Sequence, residues 1–412
     1  MKFLSRIRKL QLHWQILIAL ILSVFFGIFY TEYVDYVTWM GDIFLRALTM
    51  VIVPLIFSSI VIGVTGLGSS KNLGRLGLKT FGYYLISSLL AILVGLILVN
   101  LITPGVGADI GLTEEVETVE ATESFGDTLI GIVPSNIIKA MVEDDLLSII
   151  FFALLFGFFT TRVPSKFSEP IENFFNGVFE VMIKITMFVI RFSPLGIFGI
   201  VSGTVAEQAG DPETLMNIVS RLGMFMVSVI LGLAIHSAIV LPLIMKFVGG
   251  VNPLKHFRFM SVPLLAAFST SSSSATLPLN LEAVKSKSGV STETAGFVLP
   301  LGATINMNGT ALYECVAVLF IAQAYGVDLA LSQQIIVVVT ALLASIGAAG
   351  IPMAGLVVIT IILRVVGLPL EGVGLILAVE RILDMFRTTV NIWSDSCGAV
   401  IIAKSEGEEL NV

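Results

Sequence analysis

The chain has 412 residues, of which 56% are hydrophobic and 13% are charged, and its formal net charge is −7. The mean hydropathy of +0.98 excludes an ordinary soluble protein, in which about 25% of the residues are charged. Recurring apolar runs indicate membrane-spanning helices rather than the short alternating strands of a barrel. We therefore predict an all-α polytopic membrane protein. The predicted apolar runs are Trp14–Tyr30, Trp39–Val64, Phe81–Ile102, Leu146–Thr160, Val178–Ile200 and Leu222–Val248.

Charge is distributed unevenly along the chain. Basic residues precede the first apolar run and occur again in the 67–80 loop, whereas acidic residues dominate between Asp109 and Asp145. The positive-inside rule places the N-terminus and the 67–80 loop in the cytoplasm and the acidic segment outside. Because the first run lacks a small-residue cleavage site, we expect a retained span of a multi-pass plasma (inner) membrane protein.

Small polar residues interrupt the apolar stretches of the second half. The three interruptions are STSSSSATLP at 269–278, TINMNGT at 304–310 and ASIGAAGIP at 344–352. The first and third indicate re-entrant hairpins of two half-helices, and the second indicates a helix that unwinds in its middle. Non-helical backbone at membrane depth survives only where it is buried in protein or lines a cavity. Its free N–H and carbonyl groups suit anions and cations, so this half is predicted to carry a binding site.

The last apolar helix carries polar and ionisable residues on one face. At about 100° per residue, Asp384, Arg387, Thr388, Asn391 and Asp395 fall within an arc of roughly 100°. A charged group at the bilayer centre costs on the order of 3 kcal/mol, so this stripe must face a polar interior. The Arg387 guanidinium suits a carboxylate of a ligand. The alternative is a structural ion pair with Asp384. Both interpretations are compatible if Arg387 pairs with an acidic side chain in the empty site and with the ligand in the loaded site. A ligand with one amine and two carboxylates would satisfy both residues, which indicates an acidic amino acid.

Oxygen ligands and a buried carboxyl group complete the pattern. Asn306 and Asn308 flank Met307. Their amide oxygens, together with backbone carbonyls that the unwound helix leaves unbonded, suit small alkali cations. The alternative is that these amides form interhelical hydrogen bonds. Glu314 lies in the apolar stretch ALYECVAVLF and is predicted to take and release a proton, with a neutral structural acid as the alternative. No histidine stands in a serine-base motif, so the serine-rich hairpin does not favour an intramembrane hydrolase, and no enzyme activity is predicted.

Four motifs occur in the order SSSSATLP, NMNGT, ASIGAAGIP and DMFRTTVNIWSD. They resemble the glutamate transporter family, which includes the excitatory amino acid transporters and the bacterial and archaeal glutamate-aspartate symporters. The resemblance covers essentially the whole chain and implies eight transmembrane helices, two re-entrant hairpins, a homotrimer and an elevator-type movement. The implied segments are scaffold helices 1–2 at 12–66, helix 3 of the transport domain at 76–103, scaffold helices 4–5 at 124–206, and a transport domain at 216–405 with helix 6, hairpin 1 at 253–286, helix 7 at 292–323, hairpin 2 at 330–366 and helix 8 at 373–405.

The resemblance also implies roles for individual residues. Arg387 would bind the side-chain carboxylate of the substrate, and Asp384 would bind its amino group. The other implied substrate-binding residues are Thr388, Asn391, Thr310, Ser272, Ser273, Ile351 and Gly355. Two implied sodium sites consist of Gly302, Asn306, Asn391 and Asp395, and of Thr304, Met307, Ser345 and Ile346. A third would use Tyr84, Ser87, Ser88, Asn306 and Asn308.

Several positions bear on the coupling ion and on substrate release. The family usually has aspartate at position 308, so the neutral Asn308 weakens the case for sodium at the third site. Glu314 matches the proton-carrying glutamate of the mammalian members. Ser271 and Met385 stand where archaeal and mammalian members, respectively, carry an additional arginine, so Arg387 lacks that neighbouring cation.

These observations predict a secondary active symporter of glutamate or aspartate that is coupled to protons, with sodium dependence reduced or absent. The alternatives are a sodium-coupled symporter, and a C4-dicarboxylate or neutral amino acid carrier of the same fold. Asp384 argues against a dicarboxylate, and Arg387 argues against a neutral substrate. A pure anion channel would not need a stripe with both charges. The expected partners are the substrate, membrane lipids and further copies of the chain, without nucleic acid and without a cofactor beyond the coupling ions H⁺ and, in the alternative, Na⁺.

Overall fold

The computed structural model describes residues 12–65, 71–108, 133–143, 146–207, 212–346 and 354–412. Throughout these ranges the regular structure is helical, with no strand, so the predicted all-α class is confirmed. By length and composition, five helices of the described ranges can cross a membrane. They are Asp35–Thr65, Arg75–Ile102, Ser165–Ile190, Met216–Phe247 and Thr292–Ala324. The count of eight spans stays a prediction.

The α-helices are numbered here in chain order. Those of the first half are α1 Leu12–Phe29, α2 Asp35–Thr65, α3 Lys71–Ile102, α4 Ile137–Val142, α5 Leu146–Thr160, α6 Ser165–Ile190, α7 Ser193–Glu207 and α8 Pro212–Ile235. Those of the second half are α9 Leu241–Phe247, α10 Pro253–Phe259, α11 Ser261–Thr270, α12 Ser273–Ala283, α13 Thr292–Ile305, α14 Asn308–Ala324, α15 Leu331–Ile346, α16 Ala354–Val365 and α17 Val373–Ser405. Two π-helical segments, His236–Val240 and Val284–Ser288, follow α8 and α12.

Two of the predicted apolar runs are not uniform helices. The run Val178–Ile200 is divided, because α6 ends at Ile190 and α7 begins at Ser193. Pro194 stands in the first turn of α7. The N–H groups of a first turn have no carbonyl acceptor within the helix, so the missing N–H of proline costs no helical hydrogen bond there. The run Leu222–Val248 contains the π-helical segment, which widens one turn at His236.

The helices pack in two groups. In the first group α2 packs against α5, α6 and α7, and α1 packs against α7. In the second group α14 packs against α3, and α17 packs against α8, α11, α13 and α14. Contacts between the groups also occur, for example between α7 and α17. The domain division and the elevator movement stay predictions.

The interruptions of the second half lie between short helices. Asn306 and Met307 leave the helical conformation, with ψ angles of 68° and 52°, and so separate α13 from α14. In the first hairpin, Ser271 adopts a left-handed conformation with φ of 51°, and the Ser272 hydroxyl caps α12 by accepting a hydrogen bond from the Ala275 N–H. The tip of the second hairpin, at 347–353 between α15 and α16, lies outside the described residues.

The segment after α17 folds back onto earlier parts of the chain. Glu406 pairs with Arg75, and its Oε1 lies 2.6 Å from Lys79 Nζ. The hydrogen bond from Lys79 lowers the pKa of the Glu406 carboxyl below its ordinary value. Glu408 accepts a hydrogen bond of 2.7 Å from the backbone N–H of Ser291. This segment thus joins the beginnings of α3 and α13 at one end of the second group.

Candidate functional site

The polar stripe of α17 lies inside the protein. Asp384, Arg387, Thr388, Asn391 and Asp395 each expose 5% or less of their surface. The α17 helix contacts α11, α13 and α14, which are the helices beside the first hairpin tip and the unwound turn. The stripe therefore meets the interrupted backbone in one region, and this region is the candidate site.

Arg387 is held by two carboxylates. Its Nη2 atom lies 2.7 Å from Asp384 Oδ1 and 2.7 Å from Glu380 Oε1. Tyr313 donates a hydrogen bond to the other Glu380 oxygen, and the Arg387 guanidinium carbon lies 4.0 Å from the centre of the Tyr313 ring. Buried ion pairs need such additional hydrogen bonds to offset the loss of hydration. The arrangement fixes the orientation of the Arg387 fork.

The Arg387 fork retains unused donors. Its Nε and Nη1 atoms have no hydrogen-bond partner among the described residues. Gly355 in α16 approaches Nη1 so closely that an added Cβ would meet this atom and would stand 3.2 Å from the guanidinium carbon. The buried guanidinium therefore still has N–H groups, on Nε and on Nη1, that can donate charge-assisted hydrogen bonds to a carboxylate.

Asp384 contacts a second arginine. Its Oδ2 atom lies 3.6 Å from Arg381 Nη1, while its Oδ1 atom takes Arg387. The Arg381 side chain is 22% exposed, whereas that of Asp384 is 7% exposed. Asp384 thus stands between a buried and a partly exposed guanidinium on one helix.

The other predicted substrate residues lie around this centre. Thr310 accepts a hydrogen bond of 3.1 Å from the Asn391 amide. Ser273 of the first hairpin is buried, and the hairpin is fixed to α17 by ring packing between Phe268 and Phe386, with centroids 5.2 Å apart. The predicted residue Ile351 lies outside the described residues.

Three residues of the first predicted sodium site come together. Asn306 Nδ2 donates to Asp395 Oδ1 at 2.8 Å, and an added Cβ on Gly302 would lie 2.5 Å from that same oxygen. The Asp395 Oδ2 atom has no hydrogen-bond partner in the described ranges. A buried carboxylate with one unused oxygen suits a small cation with oxygen ligands. The Asn391 side chain is used differently, because it binds the Gly309 N–H and contacts Met307 and Thr310.

The second predicted sodium site is joined by helix packing. The Thr304 hydroxyl donates to the Leu301 carbonyl, and the Ser345 hydroxyl donates to the Leu342 carbonyl. These bonds stay within α13 and α15, which contact each other. The Met307 sulfur accepts a hydrogen bond of 3.3 Å from Asn391, and the Ile346 side chain lies outside the described part. This set stays a prediction.

A neutral hydrogen-bond network occupies the third predicted site. Ser88 donates to Asn308 Oδ1 at 2.7 Å, and the Asn308 amide nitrogen donates to Ser394 at 2.7 Å. The same nitrogen lies 3.2 Å from His236 Nε2. Asn308 therefore directs its N–H groups, and not a charge, toward its neighbours. The Asn308 oxygen accepts a hydrogen bond and the position carries no carboxylate, so the third site stays a prediction.

The rest of the third set shows the same pattern. The Asn306 side-chain oxygen accepts a hydrogen bond of 3.3 Å from Ser87. The Tyr84 hydroxyl donates to the Val298 carbonyl at 2.6 Å. Each side chain of the predicted set thus makes a hydrogen bond within the protein.

Glu314 is fully buried in α14. Both of its carboxylate oxygens lack hydrogen-bond partners among the described residues, and its exposed fraction is 0%. Burial of an ionised carboxylate without hydrogen bonds costs several kcal/mol of free energy relative to water. The surroundings of Glu314 therefore favour a carboxyl group that carries a proton.

Comparison with known proteins decides the family. A family model described as the sodium:dicarboxylate symporter family matches residues 12–405. The chain belongs to the sodium:dicarboxylate symporter family. It is 34% identical to the proton/glutamate-aspartate symporter of Escherichia coli (strain K12), over 97% of this chain and 93% of that protein. It is 36% identical to the proton/sodium-glutamate symport protein of Geobacillus stearothermophilus, over 97% and 96% of the two chains.

Relatives also occur among animal proteins. The chain is 36% identical to excitatory amino acid transporter 3 of Oryctolagus cuniculus, over 98% of this chain and 87% of that protein. The resemblance deduced from the four motifs is therefore confirmed. This member of the sodium:dicarboxylate symporter family is a multi-pass membrane transporter and not an enzyme.

Three residues of this symporter were not assigned to the site from the sequence. Glu380 lies seven residues before Arg387, which is about 20° away at 100° per residue, so the same arc could have identified it. Arg381 lies at the edge of that arc. His236 lies beside Asn308, and nothing in its local sequence marks Asn308 as its partner.

Proposed function

We propose that this symporter carries acidic amino acids, glutamate or aspartate. The observation that supports this most directly is that the buried Arg387 guanidinium beside Asp384 keeps two donors, Nε and Nη1, without a partner among the described residues. A carboxylate on one of these donors and an ammonium group on Asp384 would pair both residues with one ligand. The names of the bacterial relatives, which include glutamate and aspartate, agree with this substrate class.

Other substrates would leave a buried group without a partner. A neutral amino acid would leave Arg387 Nε and Nη1 unused, at a cost of about 1–3 kcal/mol for each unsatisfied group. A C4-dicarboxylate has no ammonium group for Asp384 and would add a second negative charge near it. These penalties favour a ligand with one cationic and two anionic groups.

Proton coupling through Glu314 follows from its position. A carboxyl group that is buried without partners changes its protonation only when a movement exposes it or brings a cation to it. The neutral Asn308 network supports a reduced sodium requirement, because it replaces the charge that a third cation would need. The first predicted site keeps the Asp395 carboxylate, so sodium coupling is the second candidate.

Uptake into liposomes tests both statements. We expect the purified protein to accumulate labelled aspartate or glutamate under an inward proton gradient without sodium, and a protonophore to abolish this accumulation. Excess unlabelled aspartate should compete, while succinate and alanine should not. Uptake that requires sodium and ignores the proton gradient would contradict proton coupling alone. Equal competition by succinate would contradict the substrate class.

Assembly and orientation complete the proposal. We expect a homotrimer in which the second helix group moves against the first, with the N-terminus in the cytoplasm. Native mass spectrometry of the purified protein measures the number of chains, and a protease-accessible tag before residue 12 reports the orientation. A monomer, or a tag that is cleaved only from outside, would contradict these expectations.

Restoring a carboxylate at position 308 should restore a sodium response. In Asn308→Asp, sodium at fixed pH is expected to stimulate uptake several-fold, because the new carboxylate and the Ser88 hydroxyl would then offer a charged cation site. The measurement is initial uptake against sodium concentration. Asn176→Asp on the exposed face of α6 adds the same charge elsewhere and should show no stimulation. A transporting Asn308→Asp protein without sodium stimulation would contradict the assignment.

A further inference from the structure

Arg381 is the partly exposed member of a chain of four charged groups. Along α17, Glu380 pairs with Arg387, Arg387 with Asp384, and Asp384 with Arg381. The formal charges of these four groups cancel. Arg387 is 1% exposed and is held by two carboxylates, whereas Arg381 is 22% exposed and its ion pair with Asp384 is 3.6 Å long.

The two pairs of Asp384 differ in strength. At 2.7 Å, Arg387 Nη2 makes a charge-assisted hydrogen bond to Oδ1. At 3.6 Å, Arg381 Nη1 exceeds hydrogen-bond distance and contributes only its charge to Oδ2. A partly solvated guanidinium on a long side chain can leave such a pair for water at little cost. Of these two ion pairs of Asp384, the one with Arg381 is therefore the one that another cation can replace.

We propose that Arg381 competes with the amino group of the substrate for Asp384 and thereby sets how readily the substrate leaves. This proposal rests on the acidic amino acid as substrate. When substrate binds, its ammonium group takes the Oδ2 side of Asp384 and Arg381 moves into water. When substrate leaves, Arg381 returns and neutralises Asp384.

The same exchange affects the empty carrier. Without Arg381, the remaining groups Glu380, Arg387 and Asp384 carry a net charge of −1, and an uncompensated charge in a membrane-embedded site is costly to move. Arg381 therefore has two effects that act in opposite directions. It weakens substrate binding, and it aids the return of the empty carrier.

Arg381→Ala and Arg381→Gln test the first effect. Both variants are expected to bind aspartate more tightly, by up to about fivefold, the size expected when a competing exposed ion pair is removed. Arg381→Lys should restore the affinity of the original protein. Succinate has no ammonium group, so the loss of Arg381 should not make it a competitor. This contrast separates competition at Asp384 from a general change in the fold.

Transport assays test the second effect. In Arg381→Ala and Arg381→Gln, net uptake should fall while aspartate–aspartate exchange persists, because exchange does not require the empty carrier to return. Lys404→Ala removes a cation from the exposed last turn of α17 and should change neither quantity.

The outcomes distinguish this proposal from the function on which it rests. Unchanged or weaker aspartate binding in both Arg381 variants, with transport by the original protein intact, would overturn the role of Arg381. Tighter binding of aspartate and succinate alike would also overturn it. If the original protein binds no acidic amino acid, the proposed function itself fails.

Discussion

Replacing Arg387 with cysteine is expected to abolish transport of aspartate and glutamate. The guanidinium offers unused donors to a carboxylate, and each charge-assisted hydrogen bond contributes about 1.5–3 kcal/mol. The loss predicts a decrease in affinity of roughly tenfold or more for each bond. The measurement is competition by aspartate, glutamate and a neutral amino acid such as serine in liposomes. A gain of neutral substrates is expected, because the smaller side chain removes the charge that excludes them.

The Arg387 variant needs two controls. Removing the arginine leaves Glu380 without its cation and takes the closer of the two arginines from Asp384, and breaking a buried pair destabilises a protein by about 3–5 kcal/mol. The double variant with Glu380→Gln removes one of these charges and preserves a folded protein for the assay. Met385→Cys places a cysteine on the same helix and should transport normally. Aspartate affinity at the original level in a folded Arg387→Cys protein would remove Arg387 from the site.

Glu314→Gln is expected to block net uptake and to leave exchange intact. Glutamine has the shape of the protonated acid but cannot release a proton, so the variant would behave as if position 314 were always protonated. Uptake by the original protein should rise as the outside becomes more acidic, and exchange by the variant should lose this dependence. Glu293→Gln, an exposed acid in the first turn of α13, is the matched control.

Net accumulation distinguishes the two interpretations of Glu314. A Glu314→Gln protein that still accumulates aspartate under a proton gradient would make this residue a structural acid. Its thermal stability should then be similar to that of the original protein, because neither carboxylate oxygen has a hydrogen bond to lose among the described residues. Loss of exchange together with net uptake would contradict the specific role in coupling.

The face of α17 could be predicted because helical periodicity is regular over 33 uninterrupted residues. Periodicity identifies which side chains share a face, but it does not identify the partners on other elements. Glu380 lay on the predicted arc and outside the recognised motif.

The division of Val178–Ile200 depends on a two-residue break, which apolar composition alone does not reveal.

Long-range contacts account for the rest of what the sequence did not predict. His236 and Asn308 lie 72 residues apart and meet only because the π-helical turn after α8 packs beside α14. Similarly, the resemblance implies a cation site and a substrate contact for Asn391, but it does not reveal that its side chain accepts a hydrogen bond from the Gly309 N–H and donates one to Thr310. Which hydrogen bonds an amide makes is decided by tertiary packing and not by its position in a motif.

The return of residues 406–412 to the start of α3 has a consequence for biosynthesis. Glu406 and Arg75 are separated by 331 positions, so this contact forms only after the chain as far as Glu406 has left the ribosome. Until then Arg75 and Lys79 lack their carboxylate, and α13 lacks the Glu408 contact at its first turn. A truncation that removes residues 406–412 would therefore remove the contacts that join the end of α17 to the beginnings of α3 and α13.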